Sequence, residues 1–172
     1  MASEIKVDTI VNAGGDNDTG IDLATNDQIL LKVANATKLT MNSTGQTTIV
    51  GEGGTTTTSV QQGLCKAWCD YNGNTAAITD NFNIGGITDN GTGDYTFSYT
   101  NDMASINYVF LGDAQYEDGA IGSFTAVNPK SADANNRGAS SVRVECKTMS
   151  TGSGPSNYDY KQQQFAVHGD LA

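Results

Sequence analysis

Residues 1 to 50 contain no aromatic side chain. Apart from Met1 and a few Ala, their apolar residues are Ile, Leu, Val and Met41, spread along short alternating runs: EIKVDTIV, GIDLAT, QILLKVAN, KLTMN and QTTIV. Alternation with period two predicts half-buried strands. The turns between them read GGDND, TND, NAT and STG, with Gly45 free to take the left-handed conformation that a tight turn needs. Fifty residues of this kind cannot bury enough surface to stand alone. Either they pack on the rest of the chain or identical copies supply the missing core. Three copies closing a triangular prism would also remove the free sheet edges.

Composition extends the β reading to the whole chain. Thr, Asn and Gly are overused, Pro is scarce, and no window keeps apolar residues at helical spacing. The fold class expected is all-β. Its N-terminal strands should be intertwined or prism-like, followed by a β-sandwich of jelly-roll type. Three zones follow: a shaft or attachment segment over 1–50, a Thr/Gly-rich linker over 51–63 (GEGGTTTTSVQQG), and the sandwich over 64–172. Within the linker, the Thr preference for strands also permits a strand in an intertwined trimer.

The third zone holds all the aromatic residues. Its strand candidates are LCKAWCDYN, GGITDN, DYTFSYT, INYVFLGD, IGSFTAV, SSVRVECKTM and KQQQFAVHGDL. Asn90-Gly91-Thr92-Gly93 sits between two alternating runs and predicts a hairpin loop. Tyr95, Phe97 and Tyr99 share one strand face. Val142, Val144 and Cys146 point inward, with Arg143, Glu145 and Lys147 outward.

Charge and cysteine content narrow the function. The net charge is −10, and nine Lys and Arg residues are scattered, so no concentrated basic surface awaits nucleic acid. The opening residues lack a basic segment followed by an apolar one, and no apolar run has membrane-spanning length. Synthesis in a cytoplasm without Sec-type export and without membrane insertion is expected. Cys65 and Cys69 lie about 13 Å apart along a strand, too far for a disulfide. With Cys146 they are expected as buried small hydrophobes. A zinc site from the three cysteines and His168 is the weaker alternative, because the strand spacing is too wide for a shared metal.

No catalytic constellation stands out. His168, the one histidine, lies in FAVHGD on the face of Ala166, without a local nucleophile. The Gly-rich stretches GEGG and GTGD open no helix and so cannot cradle phosphate. DNDTGID around Asp16, Asp18 and Asp22 departs from a calcium loop, and turn chemistry explains it. Neither metal nor cofactor is expected. Asp70, Asp80, Asp89, Asp94 and Glu117 keep glycoside hydrolysis open as the enzyme alternative. Of Trp68, Tyr71, Tyr95, Tyr99, Tyr108, Phe110 and Tyr116, most should be core. Tyr116, Tyr158 and Tyr160 are the candidates for exposed recognition contacts, on loops.

Several stretches carry a resemblance. The opening MASEIKVDTIV resembles the start of fibre proteins from phages of marine bacteria. GIDLATNDQILLKVANATKLTMNSTGQTTIVGEG is similar to the fibre-shaft repeat of tailed phages, with its turn at Ser43-Thr44-Gly45-Gln46. Lys66-Ala67-Trp68, the Asp80-Asn81-Phe82-Asn83 turn, the hairpin from Ile87 to Thr96, and Ala166 to Asp170 resemble a C-terminal module of tail-fibre and virion structural proteins. Together these cover most of the chain. The resemblance implies a non-enzymatic virion component exposed on the particle surface. It would be a homotrimer, joined to other virion proteins through its N-terminal segment and able to contact a host receptor or glycan. The large N-terminal adaptor of long tail fibres is missing, which favours a short fibre or fibre tip. A capsid-decorating head spike is the alternative, and a glycan-degrading tip the less favoured one.

Overall fold

Strands account for most of the described residues. The computed structural model describes residues 7–11, 19–24, 27–51, 53–115, 124–130, 136–149 and 154–171. The fold is all-β, divided into two compact units, Met1–Gly63 and Leu64–Ala172.

The first unit is one antiparallel sheet whose six strands pair in chain order: β1 (Thr9–Val11), β2 (Gly20–Asp22), β3 (Ile29–Val33), β4 (Ala36–Met41), β5 (Thr47–Val50) and β6 (Thr57–Ser59). Turn chemistry sets the register. Ala34 and Asn35 both take positive φ, 51° and 57°, as a two-residue hairpin turn between β3 and β4 requires. Between β4 and β5, Asn42 Oδ1 accepts from the Thr44 hydroxyl (2.7 Å) and the Gln46 N–H (2.9 Å), while Gly45 sits at φ 79°. The expected linker is corrected here. Thr57, Thr58 and Ser59 extend the sheet by pairing with Val50, Ile49 and Thr48, because β-branched Thr fits an edge strand. Within the single chain these strands pair as a meander.

Register sorts the side chains of this sheet into rows. Ile10, Ile21, Leu31, Leu39 and Ile49 stand opposite one another across β1 to β5. The neighbouring row, on the other face, reads Thr9, Asp22, Leu30, Thr40, Thr48 and Ser59 across all six. Lys32 and Asp22 form an ion pair on that second face. No described residue of the first unit is buried.

The second unit has two antiparallel sheets facing one another across a shared core. One contains β7 (Cys65–Asn72), β8 (Ala77–Phe82), β11 (Val109–Gln115) and β15 (Gln162–His168), in the order β11-β15-β7-β8. The other runs β12-β13-β10-β9, from β9 (Ile84–Gly91), β10 (Asp94–Tyr99), β12 (Phe124–Pro129) and β13 (Ser141–Met149), with β14 (Ser156–Asn157) pairing with β13. The predicted hairpin lies between β9 and β10 with Thr92-Gly93 at its tip. Pro129 sits in β12, an edge strand, where the missing N–H breaks no ladder. Strand β8 escaped the sequence reading, and the expected Asp80-Asn81-Phe82-Asn83 turn is corrected. Only Asn83, at φ 59°, turns the chain, while Asp80 to Phe82 pair with β7.

The core follows the expected faces. Tyr95, Phe97, Val142, Val144 and Cys146 from one sheet meet Ala67, Cys69, Tyr71, Phe165 and Val167 from the other. Tyr71 and Phe97 meet edge to face with centroids 4.8 Å apart, as do Phe97 and Phe165. Gly112 lets the β11 edge approach β12, since a Cβ there would lie 2.3 Å from the Val127 carbonyl. All three cysteines are free thiols. Burial pushes Cys69 and Cys146 up to about 12, so neither ionises near neutral pH. Cys65 departs from the expectation: a bulge opposite His168 at the strand start leaves it only half-buried.

An ion cluster lies on the outer face of the five-stranded sheet. Arg143 binds Asp94 through Nε to Oδ1 and a terminal nitrogen to Oδ2, both at 2.8 Å, and Lys130 Nζ reaches Oδ2 at 2.5 Å. The Arg143 guanidinium, with Lys130 beside it, outweighs desolvation and holds the Asp94 carboxyl down to about 2. A depressed folded value stabilises above the unfolded pKa and loses that contribution as pH falls through the folded one. Asp94→Asn should therefore cost about 1–2 kcal/mol at neutral pH after solvent screening. It should also flatten the acid side of the stability curve between about pH 4 and 2. Urea melts across that range check it. An unchanged pH dependence would mean the pair is energetically idle.

Candidate functional site

The outer face of the four-stranded sheet gathers the chemistry. Strand pairing fixes two adjacent rows across all four strands. Phe82, Trp68, Ala166 and Leu111 stand opposite one another in the first row. Asp80, Asp70, Gln164 and Asp113 do so in the second. Neighbouring members stand about 5 Å apart, and the rows about 7 Å. The alternation of β7 explains the layout. Ala67, Cys69 and Tyr71 are packed inward, which turns Trp68 and Asp70 outward.

Exposure is high for an apolar row. Trp68 is 36% exposed, Phe82 51% and Leu111 58%. With Ala166 and the polar row, Trp68 and Leu111 line an open depression of about 530 Å³. Asp80 Oδ1 accepts from the Asn81 N–H (2.8 Å) and Asp113 Oδ1 from the Ala114 N–H (2.9 Å), and both residues are exposed. Among the described residues, Lys130, Arg143 and Lys147 form ion pairs around Asp94 and Glu145 on the other sheet.

Of the residues singled out from sequence, Trp68, Asp70 and Asp80 come together here, while others do not join them. Tyr116, Glu117, Asp16 and Asp18 lie outside the described residues. Tyr158 is 50% exposed. Tyr160 is corrected: it is 2% exposed, its ring tilted against Tyr158 at 4.6 Å. Its carbonyl accepts from the Gly73 N–H (2.8 Å) and Gln163 Nε2 (3.0 Å), which draws the residue into the unit. Tyr71, Tyr95, Tyr99 and Tyr108 are buried and Phe110 stacks on Phe165 at 5.0 Å. Asp89 serves its turn by accepting from the Gly91 N–H (2.8 Å), and Asp22 accepts from Ala24 and pairs with Lys32. His168 stands between Val109 and Cys65 in the sheet register. Among the described residues no three His, Cys, Asp or Glu side chains gather as a metal site would need. Among them, too, no helix is long and apolar enough to cross a membrane.

Sequence reasoning missed Asp113, Gln164, Leu111 and Phe82 as partners of Trp68. Their association depends on β15 entering between β7 and β11, a pairing of strands nearly a hundred residues apart in the chain. Compared with protein families, with curated proteins and with solved structures, the chain matches none.

Proposed function

We propose that this chain is a non-enzymatic structural protein of a virion, a short tail fibre or fibre tip, that assembles as a homotrimer and attaches the particle to a host surface. One observation carries the self-assembly: the first unit has no buried residue among those described, yet an apolar row crosses five of its six strands. A sheet with one apolar face must cover it with another layer. Ile10, Ile29, Leu31, Val33, Met41 and Ile49, on that face, are 37–52% exposed. Covering them is worth about 1 kcal/mol each. Three sheets, one per copy, can stand as walls of a prism with these faces inward. The remaining function rests on the shaft-like and module-like stretches of the sequence and on the open face around Trp68. The first unit would join other virion proteins, and the second would meet the host.

The absence of catalysis is supported by the placement of the carboxylates. Asp70 and Asp80 stand side by side, as a hydrolytic pair could. With Asp113, however, they form one row on one sheet face, beneath any ligand. Glycoside hydrolysis needs two carboxyls flanking the scissile bond. A capsid decoration protein would use the same geometry. Imaging particles with an antibody raised to the second unit distinguishes the two: label at the tail supports the fibre reading, and label over the head replaces it. Particles without label would end the virion assignment.

A further inference from the structure

We infer that the outer face of the four-stranded sheet is a binding site for an uncharged glycan, with Trp68 as the platform for a sugar ring. Asp70, Asp80, Asp113 and Gln164 bind its hydroxyls. This names the ligand class for the attachment proposed above and rests on that reading.

A pyranose ring offers an apolar face of C–H groups and a rim of hydroxyl donors. It is held by a flat aromatic surface with acceptors set at its edge. The two rows supply both. Trp68 presents an exposed indole, and the polar row runs parallel to it about 7 Å away, within reach of a ring's rim. An ionised carboxylate only accepts, which suits hydroxyl donors, and the Gln164 amide both donates and accepts. Ala166, the smallest member of the apolar row, leaves a gap between Trp68 and Leu111 that makes the depression. Its volume of about 530 Å³ falls within the usual range of small-ligand sites. The row continues through four strands, long enough to seat neighbouring sugar units of a chain.

Charge selects among glycans. Three carboxylates in one row, on a chain of net charge −10, repel sulfated or phosphorylated polysaccharide. A second copy of the chain is disfavoured as the occupant for the same reason, since it would bring its own carboxylate row onto this one. A cationic partner would answer the carboxylate row, and a lysine-rich peptide measures it against a neutral sugar. A neutral sugar chain meets both rows without a charge penalty.

The test uses the chain's single tryptophan, whose emission reports this face directly. Full-length protein is titrated with neutral gluco-, manno- and galacto-oligosaccharides, with dextran sulfate, and with a lysine-rich peptide. A saturable emission change with at least one neutral oligosaccharide is expected, and little with the charged probes. Asp70→Asn and Asp113→Asn should each weaken that binding at least tenfold. Trp68→Ala should abolish it by calorimetry, and its outward side chain makes loss of folding unexpected. Absence of any neutral ligand up to millimolar concentration overturns the inference. So does tighter binding of either charged probe, or native-like affinity in the Asp variants. Adsorption to host cells distinguishes a wrong site from a wrong attachment role. If Trp68→Ala protein adsorbs like the native chain, this site is wrong while attachment stands. If native protein binds oligosaccharide but no cell surface, the site stands and attachment falls.

Discussion

Leu31→Lys protein is expected to sediment as a monomer at concentrations where the native chain is fully assembled. Leu31 sits at the centre of the apolar row, between Ile21 and Leu39, and is 37% exposed in the single chain. In a prism of three sheets it turns toward the interior. A lysine there brings one unpaired ammonium per copy into an apolar space, at an effective cost of several kcal/mol for each ion. That exceeds what covering any single leucine returns, and it recurs in every copy. Thr48→Lys is the matched control. Thr48 lies in the adjacent row on the opposite face, beside Thr40 and Ser59. A lysine there should leave the mass unchanged. If both variants assemble alike, the apolar row is not the contact surface.

Gly73→Ala should have the largest effect on the second unit. Gly73 follows β7 where a buried polar group closes around it. The Tyr71 hydroxyl donates to Gln163 Oε1 (2.8 Å), and Gln163 is fully buried. Gln163 Nε2 and the Gly73 N–H both donate to the Tyr160 carbonyl. The Tyr95 hydroxyl lies within reach of the Gly73 carbonyl (3.0 Å) and of the Asp159 carboxylate, and its one proton serves either. Asp159 also accepts from the Gly93 N–H (2.5 Å). A Cβ on residue 73 would stand 1.9 Å from Gln163 Nε2, 2.6 Å from the Tyr160 carbonyl and 2.8 Å from the Tyr95 hydroxyl. No side-chain rotation frees all three, because one is backbone. Moving Gln163 strands a buried amide. Overpacking together with lost buried hydrogen bonds comes to about 3–5 kcal/mol. For a unit of this size that lowers the melting temperature by more than about 10 °C. Near-ultraviolet dichroism during thermal unfolding reads it. A change of a degree or two would show that the group yields.

Much of this was legible in sequence, and the parts that were not share one cause. Alternation placed Tyr95, Phe97, Val142, Val144 and Cys146 inward because period two needs only local residues. The hairpin at Thr92-Gly93 was legible for the same reason: its turn residues are contiguous. Strand β8 was not, because Asp80-Asn81 reads as turn chemistry until β7 offers its ladder. Tyr160 looked like a loop residue beside Tyr158. Its burial depends on Gly73 and Gln163, which converge only once β7 and β15 pair. The Trp68 face likewise needs four strands from distant parts of the chain. Only Trp68, Asp70 and Asp80 were visible as candidates beforehand, and nothing local said that they share a surface.

Sedimentation of the full-length chain across a wide concentration range tests self-assembly most directly. A single species of three times the 18.0 kDa chain mass, persisting on dilution, is expected. A stable monomer would contradict it, because the apolar face of the first sheet would then have no second copy to cover it.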